Sequence, residues 1–388
     1  MNRQMHWATR RSAKAQARPQ RQAADPEQAS LNKEAHAIAM QAYAAQRKAT
    51  KEGYRKAAKL YGKAAELIAR GNARAEIEYL SRRAEMLCTL GHRYIDEGGV
   101  WREIVDIYRK ILPGVSCASD PYLWARSWNN LGNSLWMLYR GEDPPTWLEE
   151  AVAAYQEALK APSLDERTVN QHRLTRGNLG NAMRELGVLK KNKDLIIESI
   201  DIFCELMNAY PRDSALRDRV MSEGCVGHGY YALSMLEETD EERFSLLDDA
   251  SNLYRAAEEK FHIDYIQHQL GNTLLEMGEL LIRMEDWKSS MSCFEEAAEV
   301  WRAAQKAFSR KRDPHNWGAC QNGIGNALKR LGELKSSVPL LEEAAAVYRE
   351  ALAAVKEGGA ADSVKTIEEN LACADAAVSR LAAHSGTR

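Results

Sequence analysis

Cys225 and His228 are the residues whose types and spacing most suggest chemistry. Three apart on a helix, a thiol and an imidazole share one face, the arrangement of a thiolate–imidazole nucleophile pair. Such a nucleophile also needs an oxyanion site and a third group to orient the base, and no neighbouring pattern supplies either. His262 and His268 extend Cys225 toward a Cys/His set, but their intervals match no zinc-binding spacing. No phosphate-cradling loop, G-x-G-x-x-G, H-E-x-x-H or G-x-S-x-G run occurs. The expectation is a chain that is not an enzyme and holds no cofactor or metal. A site around Cys225 and His228 is the catalytic alternative.

The elements that must position any site are legible from a repeat. A small or aliphatic residue is followed four positions on by an aromatic and three further on by another small or aliphatic residue. The series reads Ala57-Tyr61-Ala64, Ile104-Tyr108-Ile111, Ala151-Tyr155-Ala158 and Ser199-Phe203-Leu206, then Ala250-Tyr254-Ala257, Ala297-Trp301-Ala304 and Ala344-Tyr348-Ala351. Its first positions are 47, 47, 48, 51, 47 and 47 residues apart. This spacing is helical, and no alternating strand-like run competes with it. Between these triplets lies an aliphatic-Gly-Asn motif at Leu131-Gly132-Asn133, Leu179-Gly180-Asn181, Leu270-Gly271-Asn272 and Ile324-Gly325-Asn326, with Val226-Gly227-His228 as its variant. A longer echo is Asp120-Pro121-x-x-Trp124 and Asp313-Pro314-x-x-Trp317, whose tryptophans read as packing anchors between repeats.

These residues resemble the tetratricopeptide repeat, with its W-x2-L-G-x2-Y half followed by A-x3-F and then P. Trp128-Asn129-Asn130-Leu131-Gly132 is similar to the first half, and Ala151-x3-Tyr155 with Pro162 and Ser199-x3-Phe203 with Pro211 to the second. The resemblance runs over about residues 30–357, and its wording is similar to bacterial arrays often joined to signalling or caspase-like protease domains. It implies an all-α fold, an α-solenoid of about seven antiparallel helix pairs in a right-handed superhelix. The chain departs from the family in length. Gly132 to Ala151, Gly180 to Ser199 and Gly325 to Ala344 are each 19 residues where the family has 12, and seven added residues are two helical turns that keep the same face inward. In the sixth pair two frames compete: Ser290-Phe294-Ala297 and Ala297-Trp301-Ala304. Gly132, Gly180, Gly271 and Gly325 read as close-approach glycines facing the aromatics, and Gly91, Gly187, Gly278 and Gly332 as helix-stop glycines. Asp143-Pro144 and Ser337-x-Pro339 read as helix starts.

In the family the first helix of each pair lines a concave groove. That resemblance places Asn133, Asn181, His228, Asn272 and Asn326 at one inward position, with Asn130, Asn178 and Asn322 three or four residues earlier on the same face. An amide offers donors and an acceptor, so a row of them can pair with an extended peptide backbone. The same asparagines can equally bond neighbouring helices. Arg176, Arg184, Lys329 and Arg330 lie near this face and can meet acidic groups of a partner, or simply form a solvated charged surface. The aromatic series reads as core.

Composition limits the remaining choices. Apolar residues make up 45% of the 388, enough for a large core, and the formal net charge of −2 gives no global pull toward nucleic acid or anionic membranes. No apolar run is long enough to span a membrane and no signal-peptide pattern opens the chain. Seven scattered cysteines without a C-x-x-C fit free thiols in a reducing compartment, so a cytoplasmic location is expected. The expected organisation is a basic flexible tail at 1–28, a solenoid at 29–357, and a capping helix and tail at 358–388. The leading function is a non-catalytic scaffold that binds a protein or peptide, as an adaptor or regulator of an effector in bacterial signalling or defence. The alternative is a nucleic-acid-associated adaptor using Arg3, Arg10, Arg11, Lys14, Arg18 and Arg21 of the tail. Self-association through unmatched terminal repeats is a further expectation.

Overall fold

The aromatic series sets the architecture. Tyr61, Tyr108, Tyr155, Phe203, Tyr254, Trp301 and Tyr348 are all buried, as are the small or aliphatic residues that flank them. The computed structural model describes residues 26–69, 71–94, 99–139, 145–210, 216–261, 263–358 and 361–385. All but the last three residues of the expected basic tail lie outside that range, as do the Asp143-Pro144 start, Pro211 and His262. Among the described residues the regular structure is fifteen α-helices and a short 3-10 turn, with no strand.

The chain divides into two units, 1–142 and 143–388. In the first, α1 (Pro26–Gln46), α2 (Lys51–Ile68), α3 (Ala73–Arg93), α4 (Val100–Ile111) and α5 (Pro121–Tyr139) each pack on the next. Residues 26–28, expected in the tail, already belong to α1. The second unit holds α6 (Thr146–Ala158), α7 (Glu166–Lys190), α8 (Lys193–Ala209), α9 (Leu216–Ser234) and α10 (Asp240–Lys260). It continues with α11 (Asp264–Arg283), α12 (Trp287–Gln305), α13 (Pro314–Leu334), α14 (Val338–Glu357) and α15 (Ala361–Ser385). Here too successive helices pack, and the first helices of the hairpins also touch one another: α7 with α9, α9 with α11, α11 with α13, and α13 with α15.

Polar residues start these helices. Asp120 and Asp313 of the two Asp-Pro-x-x-Trp runs accept backbone N–H groups of Leu123 at 3.0 Å and Asn316 at 3.2 Å, so that echo marks helix starts. Ser337 caps α14 ahead of Pro339. Trp124 packs on Trp128 with ring centroids 5.7 Å apart, and Trp317 lies under the Arg310 guanidinium.

Inside each hairpin, glycine faces the aromatic. A Cβ added at Gly180 would come within 2.7 Å of Phe203, at Gly227 within 2.8 Å of Tyr254, and at Gly325 within 2.6 Å of Tyr348. The helix-stop reading of the other glycines is corrected. Gly91, Gly187, Gly278 and Gly332 lie inside their helices and face Trp101, Ile196, Phe294 and Leu341. They form a second row of close contacts. α3 ends at the extended Tyr94, and the other three end at non-glycine residues with positive φ: Lys191 at 51°, Glu285 at 62° and Ser336 at 47°. Each is followed by the residue that caps the next helix, Asn192, Asp286 or Ser337.

The two rows also place the sixth pair. Gly271 faces Trp301 and Gly278 faces Phe294, so both frames are successive contacts of one continuous α12. Beyond α14, Ile367 and Ala374 of α15 enter the last core cluster with Tyr348, Ala351 and Val355, so α15 covers the final apolar face.

Candidate binding groove

The second unit has an uncharged pocket of about 300 Å3 among its first-position helices, with amides and hydroxyls set in a mostly apolar lining. It is built from α11, α13 and α15, with one aromatic from α12. His268 and Asn272 come from α11, Asn322 and Asn326 from α13, and Ser363, Thr366 and Ile367 from α15. Trp301 reaches in from α12 and is itself buried. Its indole lies between two bare backbones. A Cβ at Gly271 would come within 2.5 Å of its Nε1, and one at Gly323 would be as close to the ring. The Asn322-Gly323-x-Gly325-Asn326 run therefore serves two aromatics, Trp301 through its first glycine and Tyr348 through its second. The His268 ring meets Trp301 edge-on, with centroids 4.3 Å apart, and burial holds the imidazole below its ordinary pKa, hence neutral at pH 7.

Three of the asparagines expected on the groove, Asn272, Asn322 and Asn326, meet in this pocket. Each of the three already makes a hydrogen bond. Tyr348 donates its hydroxyl to Asn326 Oδ1 at 2.6 Å, Asn370 donates Nδ2 to Asn322 Oδ1 at 3.0 Å, and Asn272 Nδ2 is 3.4 Å from His268 Nδ1.

The other expected residues are distributed differently. Asn181 on α7 accepts from Arg184 at 3.1 Å, and Asn178 lies half-buried on the same helix. Arg176 pairs with Glu205 at 2.6 Å, and Arg330 forks onto Glu279 and Glu333. Lys329 is half-buried on α13. In the first unit Asn130 donates to the Tyr108 hydroxyl at 2.9 Å and Asn133 is half-buried on α5. Asn130 and Asn326 thus both bond a tyrosine of the adjacent helix.

His228 occupies the asparagine position of α9 and is buried, with neither ring nitrogen hydrogen-bonded. It packs between Tyr254, at 5.3 Å between centroids, and Tyr265, at 4.9 Å. Burial, with the nearby Arg184 charge, pulls its pKa down to about 3, and burial pushes the Cys225 thiol up to about 11. Both are neutral at pH 7, the reverse of what a thiolate–imidazolium pair requires. Among the described residues no three His, Cys, Asp or Glu side chains gather to hold a metal ion, and no helix is long and apolar enough to cross a membrane.

Sequence reasoning weighed His268 only as a zinc ligand and missed Gly323, Ser363 and Thr366 as lining residues. The signal for His268 was its place four residues before Asn272, matching Asn322 before Asn326. A second pocket, of about 260 Å3, lies in the first unit between α3 and α5; its Glu85 is held by Arg82 and Arg126.

Residues 317–354, most of the α13–α14 hairpin, match the tetratricopeptide repeat family. No curated protein matches the chain. Among solved structures it is similar to BtubC from P. vanneervenii at 18% identity, covering 70% of this chain and 94% of that one with a TM-score of 0.39. It is also similar to a Rap protein complexed with competence and sporulation factor, at 12% identity over 90% and 99% of the chains, TM-score 0.36. A third is the TPR2AB domain of yeast Sti1 in complex with pHSP90, at 16% identity over 89% and 99%, TM-score 0.24. The matched α13–α14 hairpin shares its glycine–aromatic contact with α7–α8, α9–α10 and α11–α12.

Proposed function

We propose that this chain is a non-catalytic interaction scaffold that holds an extended peptide or protein segment along the first-position helices of its second unit. The observation that carries this reading is the convergence of Asn272, Asn322 and Asn326 on one pocket floored by Trp301. Amides that share a pocket offer both halves of a peptide hydrogen bond, and an aromatic floor offers apolar contact beside them. The finer role is an adaptor or regulator of an effector in bacterial signalling or defence, in the cytoplasm; it draws support from the resemblance of the repeat wording to bacterial arrays.

The test is site-specific photo-crosslinking in the host cell. A crosslinker at Asn322 is expected to capture a partner protein, whereas one at Glu342, exposed on α14, is not. Capture from Glu342 alone, or none from Asn322, overturns the groove reading. Genes adjoining this one test the finer role, because an adaptor is expected to sit beside its effector.

A further inference from the structure

The pocket between α11, α13 and α15 is lined without a single formally charged side chain. That narrows what it can hold. A carboxylate or an ammonium entering it would lose hydration with no opposite charge to compensate. The hydrogen bonds the asparagines already make decide which groups they have left to offer. Asn326 spends an acceptor on the Tyr348 hydroxyl and Asn322 spends one on Asn370, which leaves the NH2 groups of both as donors. Asn272 turns its NH2 toward His268, leaving its Oδ1 as an acceptor. On the opposite wall, the hydroxyls of Ser363 and Thr366 give or take as needed.

We infer that this pocket recognises a primary carboxamide, the side chain of an asparagine or glutamine in the bound segment, and that α15 forms one wall of the site as well as capping the array. A carboxamide carries one acceptor oxygen and two N–H donors. Its oxygen meets the Asn322 and Asn326 donors from α13, and its NH2 meets Asn272 Oδ1 from α11 and a hydroxyl of α15. The Trp301 and His268 rings cover the methylene stem. The volume is about ten times the share of one liquid water, enough for such a group and its stem. The wall is anchored independently of any ligand: Ile367 is buried, and Lys356–Glu368 at 2.8 Å and Arg349–Asp375 at 2.7 Å tie α15 to α14.

This inference rests on the groove reading above and sharpens it to one side-chain chemistry. The test uses the full chain and two fluorescein-labelled pentapeptides closed as C-terminal N-methylamides, so that neither end offers a primary carboxamide, Gly-Ser-Gln-Ser-Gly and Gly-Ser-Glu-Ser-Gly, read by fluorescence anisotropy. The glutamine peptide is expected to bind about tenfold more tightly, the scale of the hydrogen bond to Asn272 Oδ1 that a carboxylate has no N–H to make. Ser363→Ala with Thr366→Val removes both wall hydroxyls from a half-buried and an exposed position without disturbing the core. It is expected to weaken the glutamine peptide by about tenfold, one lost hydrogen bond in a pocket, while leaving the melting temperature unchanged. Equal binding of the two peptides, no binding of either at millimolar concentration, or indifference to the double variant overturns the inference. None of these outcomes alters the cross-linking result at Asn322, so the two readings fail separately.

Discussion

Tyr348 donates its hydroxyl to Asn326 Oδ1 at 2.6 Å, across a hairpin in which the neighbouring Gly325 lets the ring approach. In the α9–α10 hairpin Tyr254 packs on Gly227 in the same way, but His228 stands where the asparagine would be and the Tyr254 hydroxyl has no partner. The same deletion should therefore have opposite consequences. Tyr348→Phe leaves an amide oxygen unpaired and is expected to cost about 1 kcal/mol or more. Tyr254→Phe removes a buried hydroxyl that bonds nothing and is expected to be neutral or stabilising. Urea midpoints of the two variants against the parent chain check this, and equal losses would refute the pairing.

His228 should make the fold acid-sensitive. Its folded pKa of about 3 lies below the ordinary value near 6.5, so the unfolded chain takes up the proton first. The stability it confers is fully present above about pH 6.5. It is lost as pH falls toward 3, by up to about 1.4 kcal/mol for each pH unit. His268 and His172, also lowered by burial, act in the same sense. The carboxylates held low, Asp165, Asp240 and Asp286, begin to cost stability only below their ordinary range, so pH 6.5 to 5 isolates the histidines. Urea denaturation across that interval should show a shallower slope for His228→Asn than for the parent.

Trp301 needs both of its glycines. Gly271→Ala or Gly323→Ala puts a Cβ against a rigid indole, and overpacking of this kind costs about 1–3 kcal/mol, more than the roughly 1 kcal/mol of helix propensity that alanine returns. Gly177, on α7 with nothing within 4 Å of an added Cβ, is the control. Gly177→Ala is expected to stabilise by up to about 1 kcal/mol. A thermal melt of the three variants separates packing glycine from incidental glycine.

The packing of this protein was legible because packing is periodic. A buried aromatic flanked by small residues recurs on one helix of each pair, and every such triplet is buried. What was not legible depends on contacts between helices far apart in sequence. Asn130 and Asn326 look like two groove amides, yet each also bonds a tyrosine 22 residues away, and nothing in the local run separates an amide that faces a ligand from one that faces its own hairpin. The α15 wall was hidden for the same reason: Ser363 and Thr366 fall outside the repeat pattern and enter the pocket only because α15 packs on as one more first-position helix. The glycines misread as helix stops show the limit of composition. Gly187, Gly278 and Gly332 precede the helix ends by a few residues and face a large side chain.

The true helix ends yield the last prediction. Lys191, Glu285 and Ser336 adopt left-handed backbone, and Asn192, Asp286 and Ser337, the next residues, close the turn by donating their N–H groups to the Gly187, Leu281 and Gly332 carbonyls at 2.8, 2.9 and 2.8 Å. This is a Schellman ending joined directly to the next helix cap, and glycine suits its left-handed position best. A side chain there costs about 1–2 kcal/mol, against roughly 0.5–1 kcal/mol of extra chain entropy that glycine loses on folding. Replacing all three by glycine should therefore raise stability by about 1.5–3 kcal/mol in total, visible as a higher urea midpoint with an unchanged slope. A lower midpoint would mean that these side chains hold the turns through contacts, and the left-handed geometry would then be a consequence of packing rather than a strain on it.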